Sequence, residues 1–190
     1  MNQKHSEGKT SNEAMLVQKA IGHDANAFGR LYDMYVDRVY RNIYYRVSNE
    51  ADAEDLTQQV FLKAWQAIGK YKKMASPFVA WLMTISHNLV IDFYRTRKDR
   101  AYLEAEVLAD DSALDPERAA EASIEKQRLR RAILQLSGDE QQVVILRLIE
   151  GFEFTEIASL LKKKEGNIRV ILHRALVKLR NILEKEGGQC

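Results

Sequence analysis

The sequence is poor in cysteine, proline and glycine, and it has no long apolar run. Its one cysteine is Cys190. A disulfide framework and cysteine metal sites are thereby excluded within a single chain, which suits a reducing cytosol. No apolar stretch approaches the ~18 residues needed to cross a bilayer. Residues 1–10 are polar and lack the apolar segment of a secretory signal, so residues 1–11 are expected to be a disordered tail. The four histidines (His5, His23, His87 and His173) are scattered, with no pair at ligand spacing. Phosphate loops and nucleophile motifs are also missing. No metal, cofactor or catalytic constellation is expected, and an enzyme is the weakest reading.

What is present is charge, and it is segregated. The net charge is only +2. Residues 95–100 nevertheless hold four bases (Arg95, Arg97, Lys98, Arg100) against Asp99. Residues 162–185 hold eight bases against two acids, and residues 104–125 hold eight acids against Arg118. Two basic zones flanking an acidic one suggest two polyanion contacts and a connector. Solvated charged faces are the bland alternative. Each basic zone, however, lies on or beside a helix with a defined apolar face.

The periodicity is helical throughout, with no trustworthy strand pattern. Ser11 or Asn12 can cap a first helix to about Gly22. A second follows Asp24, with Phe28, Leu31, Tyr32, Tyr35, Val39, Ile43 and Val47 at helical spacing. Ser48-Asn49 breaks it. A third runs from Glu50 to Ile68 and stops at Gly69. Ser76 as N-cap with Pro77 at the first helical position opens a fourth, towards Arg100. Residues 101–116 read as an acidic linker. Pro116 restarts a helix, and Ser137 with Glu140 forms a capping box before a helix ending at Gly151. The expected fold is all-α. Two small helical domains, 12–100 and 117–186, are joined by an acidic flexible linker, with a short tail at 187–190. The C-terminal domain is a helix-turn-helix.

That motif is the most informative stretch. A short helix, Thr155 to Leu161, precedes Lys162-Lys163-Lys164 and a long helix from Glu165. Ile168, Ile171, Leu172, Ala175, Leu176, Leu179, Ile182 and Leu183 make one apolar stripe. Asn167, Arg169, Val170, His173 and Arg174 lie on the other side. A basic, hydrogen-bonding helix face after a tight turn suits a DNA major groove. Arginine grips guanine, asparagine pairs with adenine, and Val170 can touch a thymine methyl. Lys162, Lys163, Lys164 and Arg174 would neutralise phosphates. A hairpin used only for protein contact is the alternative.

In the third helix, Ala53, Leu56, Val60, Ala64 and Ala67 share the core face. Asp55, Gln58, Gln59 and Leu62 share the neighbouring one, either a solvated surface or a wet protein interface. Tyr71 among Lys70, Lys72 and Lys73 is either a stacking platform for single-stranded nucleic acid or an anchor for a charged loop. Trp81 favours core over base stacking.

Taken together, these segments resemble those of a bacterial sigma factor of the extracytoplasmic-function (group four) class, a promoter-specificity subunit of RNA polymerase. The likeness covers residues ~12 to 185. The stretch Asp52 to Trp65, DAEDLTQQVFLKAW, is similar to the family's core-polymerase-binding helix. Phe78 to Leu82, with Ile85, Asn88, Asp92 and Arg95, resembles its promoter-melting, minus-ten segment. Glu156-Ile157-Ala158, with Arg174-Ala175 and Leu179-Arg180, resembles its minus-thirty-five domain. The resemblance implies that Asp55, Gln58, Gln59 and Leu62 dock on the clamp coiled coil of the polymerase β′ subunit. Tyr71, Lys72, Lys73, Trp81, Asn88, Asp92 and Arg95 would serve the minus-ten element, where a flipped base needs a shaped, cationic pocket. Lys164, Asn167, Arg169, Val170, His173 and Arg174 would serve the minus-thirty-five element. The implied partners are the polymerase core (β′ clamp and β flap), promoter DNA and an anti-sigma factor. The implied place is the cytoplasm, at the nucleoid. The chain departs from the family pattern at His87, where arginine is usual, and at Lys162 and Lys164, where glycine and a serine cap are usual. It departs again at Ile171 for arginine and at Gln59 for an acid. A DNA-binding regulator that senses a ligand with its N-terminal half is the competing reading. It predicts a ligand pocket or a dimer interface.

Overall fold

The computed structural model describes residues 3–47, 49–71, 77–103 and 121–187. The acidic linker, Lys72, Lys73, Pro116 and Cys190 lie outside the described residues. Within them every regular element is a helix. They are α1 (Gln3–Ile21), α2 (Ala25–Tyr44), α3 (Glu50–Ala67), α4 (Phe78–Leu103), α5 (Glu121–Leu134), α6 (Gly138–Val144), α7 (Phe154–Leu161) and α8 (Glu165–Gly187).

Local chemistry sets most boundaries. The Asp24 carboxylate accepts from the Ala27 backbone N–H at 3.0 Å and starts α2. The Asn49 side chain accepts from Asp52 N–H at 2.7 Å and starts α3. At α6 the Ser137 N–H donates to Glu140 Oε2 at 3.0 Å and the Glu140 backbone N–H donates to the Ser137 side chain in return, so the capping box forms. Two starts differ from expectation. α1 begins at Gln3, not at Ser11 or Asn12. Serine and asparagine permit a start without enforcing one, and no proline blocks extension upstream. α4 begins at Phe78, and the Pro77 carbonyl accepts the first helical bond, from Trp81 N–H at 3.1 Å. Proline thus stands just before the helix. α4 also continues past Arg100 to Leu103.

α6 does not simply end at Gly151. Residues Ile145–Ile149 widen into a π-helical turn, and Glu150 N–H donates to Ile145 O at 2.9 Å. Gly151 then takes φ +75°, which a side chain would resist. The extra residue swings Glu150 towards α2.

α1 to α4 pack around Leu31, Val39, Ile43, Val60, Ile68, Phe78, Leu82 and Met83. The same apolar cluster continues into Val143, Leu146, Phe152, Ile157, Leu160 and Ile168 of the C-terminal half. A smaller cluster (Ala132, Ile133, Leu136, Ile145, Ala175, Leu179) ties α5 to α6 and α8. In α8, Leu176 leaves the expected stripe and is 42% exposed. It sits at the stripe's edge, about 80° from the centre at 100° per residue, where the packed surface has already curved away.

The turn between α7 and α8 carries strain. Lys162 adopts φ +53°, ψ +41°, and its N–H caps Ala158 and Ser159 carbonyls. A side chain in this left-handed region costs about 1 kcal/mol that glycine avoids. Lys162→Gly is therefore expected to raise stability by about 1 kcal/mol, read as a higher midpoint of thermal unfolding. An unchanged or lower midpoint would show that the turn is not strained.

Candidate functional site

Two exposed faces and one buried seam stand out. The first face is on α3. Its core side buries Ala53, Leu56, Thr57, Val60, Phe61 and Ala64. Asp55, Gln58, Gln59 and Leu62 are all exposed, Leu62 by 57%. The exposed Leu62 is apolar area at the surface, on the same helix face as an acid and two amides. Beside it, an open groove of about 520 Å³ between α3 and α4 is lined by Asp52, Leu56, Gln59, Lys63, Leu89, Asp92, Phe93, Thr96 and Arg97.

The minus-ten candidates divide. Tyr71 is buried, its ring centroid 5.5 Å from Phe78 and 5.0 Å from Trp81. Of the two options for this tyrosine, a packed anchor is the one its burial and ring contacts fit. Trp81 is half-buried in the same aromatic cluster, so the ring braces the start of α4. Asn88 and Arg95 are exposed, and Asp92 pairs with Arg95 at 3.0 Å. Together they form a polar strip along α4 that stays accessible.

The second face is on α8. Lys164, Asn167, Arg169, Val170, His173 and Arg174 are all exposed. The first turn lacks a side-chain cap: Asn167 and Ile168 N–H groups reach the Lys164 carbonyl at 2.9 and 3.2 Å. Arg169 is posed rather than loose. Its guanidinium pairs with Glu165 at 2.6 Å and lies 4.2 Å over the Phe154 ring. Arg147 lies over the same ring at 4.8 Å and pairs with Glu153 at 3.1 Å. Lys163 and Lys178 are also engaged, with Asp139 at 3.0 Å and Glu140 at 2.7 Å. Lys164 and Arg174 are exposed and make no ion pair among the described residues.

The buried seam was not legible in the sequence. Arg38 and Arg41 of α2 each donate through Nε to the Glu150 carboxylate, at 2.8 and 2.9 Å. Arg38 also donates to the Glu150 carbonyl at 3.0 Å. Arg130 of α5 donates to the carbonyls of Tyr44 and Val47 at 3.0 and 2.8 Å, its guanidinium 4.0 Å over the Tyr44 ring. Arg46 and His87 lie further in. Burial lowers His87 to a pKa of about 4, and the neighbouring Arg46 charge adds to this. Nothing local marks these residues: an arginine in α2 reads as an ordinary surface base until its partner, more than a hundred residues away, is known.

The depressed His87 pKa has a definite sign. The folded chain prefers neutral His87, so its contribution is complete above pH ~6.5, the unfolded value, and is lost as pH falls through about 4. The groups facing it are Arg46, Asp139, Gln142 and Lys163. Wild type should therefore lose more unfolding free energy between pH 6.5 and 4 than His87→Asn does. Parallel pH curves for the two proteins would contradict this.

The described residues are helical, with an exposed face on α3, a polar strip on α4 and a helix-turn-helix face on α8. Residues 31–100 match Sigma-70 region 2, and residues 126–179 match Sigma-70, region 4. The chain is similar to the ECF RNA polymerase sigma factor BldN of Streptomyces coelicolor, 38% identical over 174 residues that cover 90% of this chain and 66% of that protein. It is similar to SigW of Bacillus subtilis, 29% identical over 184 residues, covering 89% of this chain and 97% of that protein. Its fold is similar to the sigma factor RpoE of Bartonella quintana, solved with the anti-sigma factor NepR. The TM-score is 0.73 at 25% identity, over 83% of this chain and 96% of that one. The chain belongs to the sigma-70 family, in the extracytoplasmic-function branch, whose members direct RNA polymerase to promoters.

Proposed function

We propose that this chain is a non-catalytic subunit that recruits the polymerase core to two-part promoters and helps melt them, with its roles divided by surface. The carrying observation is the order of exposed faces: the α3 face, the α4 strip and the α8 face occur in the succession of regions 2 and 4. Asp55, Gln58, Gln59 and Leu62 dock on the β′ clamp coiled coil. Region 4 sits near the β flap. Asn88, Asp92 and Arg95 serve the minus-ten strand, aided by Lys72 and Lys73, which follow the buried Tyr71 in the sequence, while Trp81 braces the helix. Asn167, Arg169 and Val170 read the minus-thirty-five duplex, and Lys164, His173 and Arg174 hold its backbone. An anti-sigma factor is the natural antagonist, supported by the similar RpoE having been solved with NepR. The work is done on promoter DNA in the nucleoid.

Run-off transcription with sigma-free core and a promoter-like duplex library tests the whole reading. Transcripts from a recurring two-part motif are expected. Duplex binding by the protein alone, with no transcripts, would favour the ligand-sensing regulator. Two variants separate the faces. Arg169→Ala should lose on the order of 1–3 kcal/mol of discrimination at one base pair; an equal loss on every sequence would make it a phosphate contact. Asp55→Ala should weaken core binding and leave duplex affinity unchanged. Intact core binding would remove Asp55 from the docking face.

A further inference from the structure

The exposed face of α8 is basic, yet an acid stands at its start. Glu165 sits one turn before Arg169, its side chain 40% exposed. A carboxylate beside a surface that meets DNA repels phosphates and lowers affinity for every duplex. Part of its use is local, since an acid in the first turn meets the positive end of the helix dipole. That role needs no arginine, and the pairing with Arg169 has a definite geometry. Glu165 Oε1 accepts from Arg169 Nε at 3.2 Å and from Nη2 at 2.6 Å. A guanidinium is a planar fork of N–H groups, and the carboxylate takes its side edge. The end edge, made by Nη1 and the second N–H of Nη2, has no hydrogen-bond partner among the described residues.

The plane of the fork is fixed as well. Its central carbon lies 4.2 Å from the centre of the Phe154 ring. Phe154 is half-buried at the start of α7 and packs against the apolar core, which holds the ring in place. Arg147 steadies the same spot from the π-helical turn. Its guanidinium lies 4.8 Å from the Phe154 ring centre, donates to the Phe152 carbonyl at 2.8 Å and pairs with Glu153 at 3.1 Å. With a carboxylate on its side edge and a ring against one flat face, Arg169 keeps its end edge for an outside partner.

We infer that Glu165 and Phe154 are positioning residues that commit Arg169 to end-on reading of one guanine in the minus-thirty-five duplex, an inference that rests on the promoter reading above. The paired N–H groups of the end edge match the O6 and N7 acceptors of guanine. Adenine sets an amino donor beside N7, so the same edge meets donor against donor. An unbraced arginine is free to swing to a phosphate, and a phosphate contact carries no sequence information. The brace gives up some general affinity, through its negative charge, in return for selectivity.

The test uses the full chain with sigma-free core polymerase. Run-off transcription is read from a promoter drawn from the duplex library, with every minus-thirty-five pair replaced in turn by each alternative. Arg169→Ala marks the pair that Arg169 reads. Wild type should prefer guanine there, and deazaguanine, with carbon in place of N7, should remove most of that preference. Glu165→Ala removes the carboxylate and suits a helix. Phe154→Leu removes the ring and keeps the site apolar, so the result does not depend on one variant folding; circular dichroism checks each. Both variants should lower the guanine preference at that pair by roughly tenfold and leave the preferences at other pairs as they were. Glu165→Ala should also bind non-cognate duplexes at least as tightly as wild type, because a repelling charge is gone. Glu184→Gln, which breaks the exposed Arg180 pair on the same helix, should keep the wild-type preference. Equal losses at every pair would assign Glu165 and Phe154 to the stability of the helix start and overturn the inference. A wild-type preference for another base at the Arg169 pair, or indifference to deazaguanine, would overturn end-on reading. An unchanged guanine preference in both variants would overturn the brace alone. No transcripts from any duplex would overturn the promoter reading, and this inference with it.

Discussion

A carboxylate withdrawn completely from water must find its full complement of partners in the protein, because an unpaired buried charge is far more costly than the pairing is worth. Glu150 meets this requirement with two arginines from α2, 109 and 112 residues away in the chain. The arrangement of the halves follows from it. The π-helical turn, the left-handed Gly151 and the position of α7 against α4 are the local geometry that carries Glu150 there. The apolar cluster shared by both halves adds non-directional attraction. The ion pairs add register, since a carboxylate can be shared by two guanidinium groups in few orientations.

The exposed faces are organised by the opposite rule: they hold what the core cannot use. α3 buries one side so completely that Asp55, Gln58, Gln59 and Leu62 are left as a coherent surface. α8 does the same with Asn167, Val170 and Arg174. Its bases are not equal, however. Several are balanced by acids one turn away or on α6, which lowers the field but fixes orientation. Arg169, stacked on Phe154 and paired with Glu165, is a group with little rotamer entropy left to lose on binding.

The departures of this chain from its family's usual pattern acquire physical meaning in the fold. Lys162 stands in a left-handed position that favours glycine, and Lys164 leaves the start of α8 without a capping oxygen. His87 faces inward to a buried arginine, where a second permanent cation in place of imidazole would meet direct repulsion. Ile171 is half-buried beneath the exposed face of α8, so an arginine there would have to reach around the helix. Nothing in the structure explains Gln59.

The sequence by itself determined the helical class, most helix boundaries, the core face of α3 and the helix-turn-helix, including the six residues of its outer surface. These are local properties: a 3.6-residue period, a capping oxygen, a charge run. It misplaced the starts of α1 and α4 because a capping residue or a proline permits a boundary without fixing it. It carried Leu176 into the α8 stripe because periodicity ignores how far the opposing surface extends. Tertiary structure alone decided that Tyr71 is an anchor, that Arg169 is posed on Phe154, and that Glu150, Arg38, Arg41, Arg46 and Arg130 form the seam. Those outcomes depend on which distant residues meet. Charge pairing across a hundred residues leaves no periodic trace in the chain.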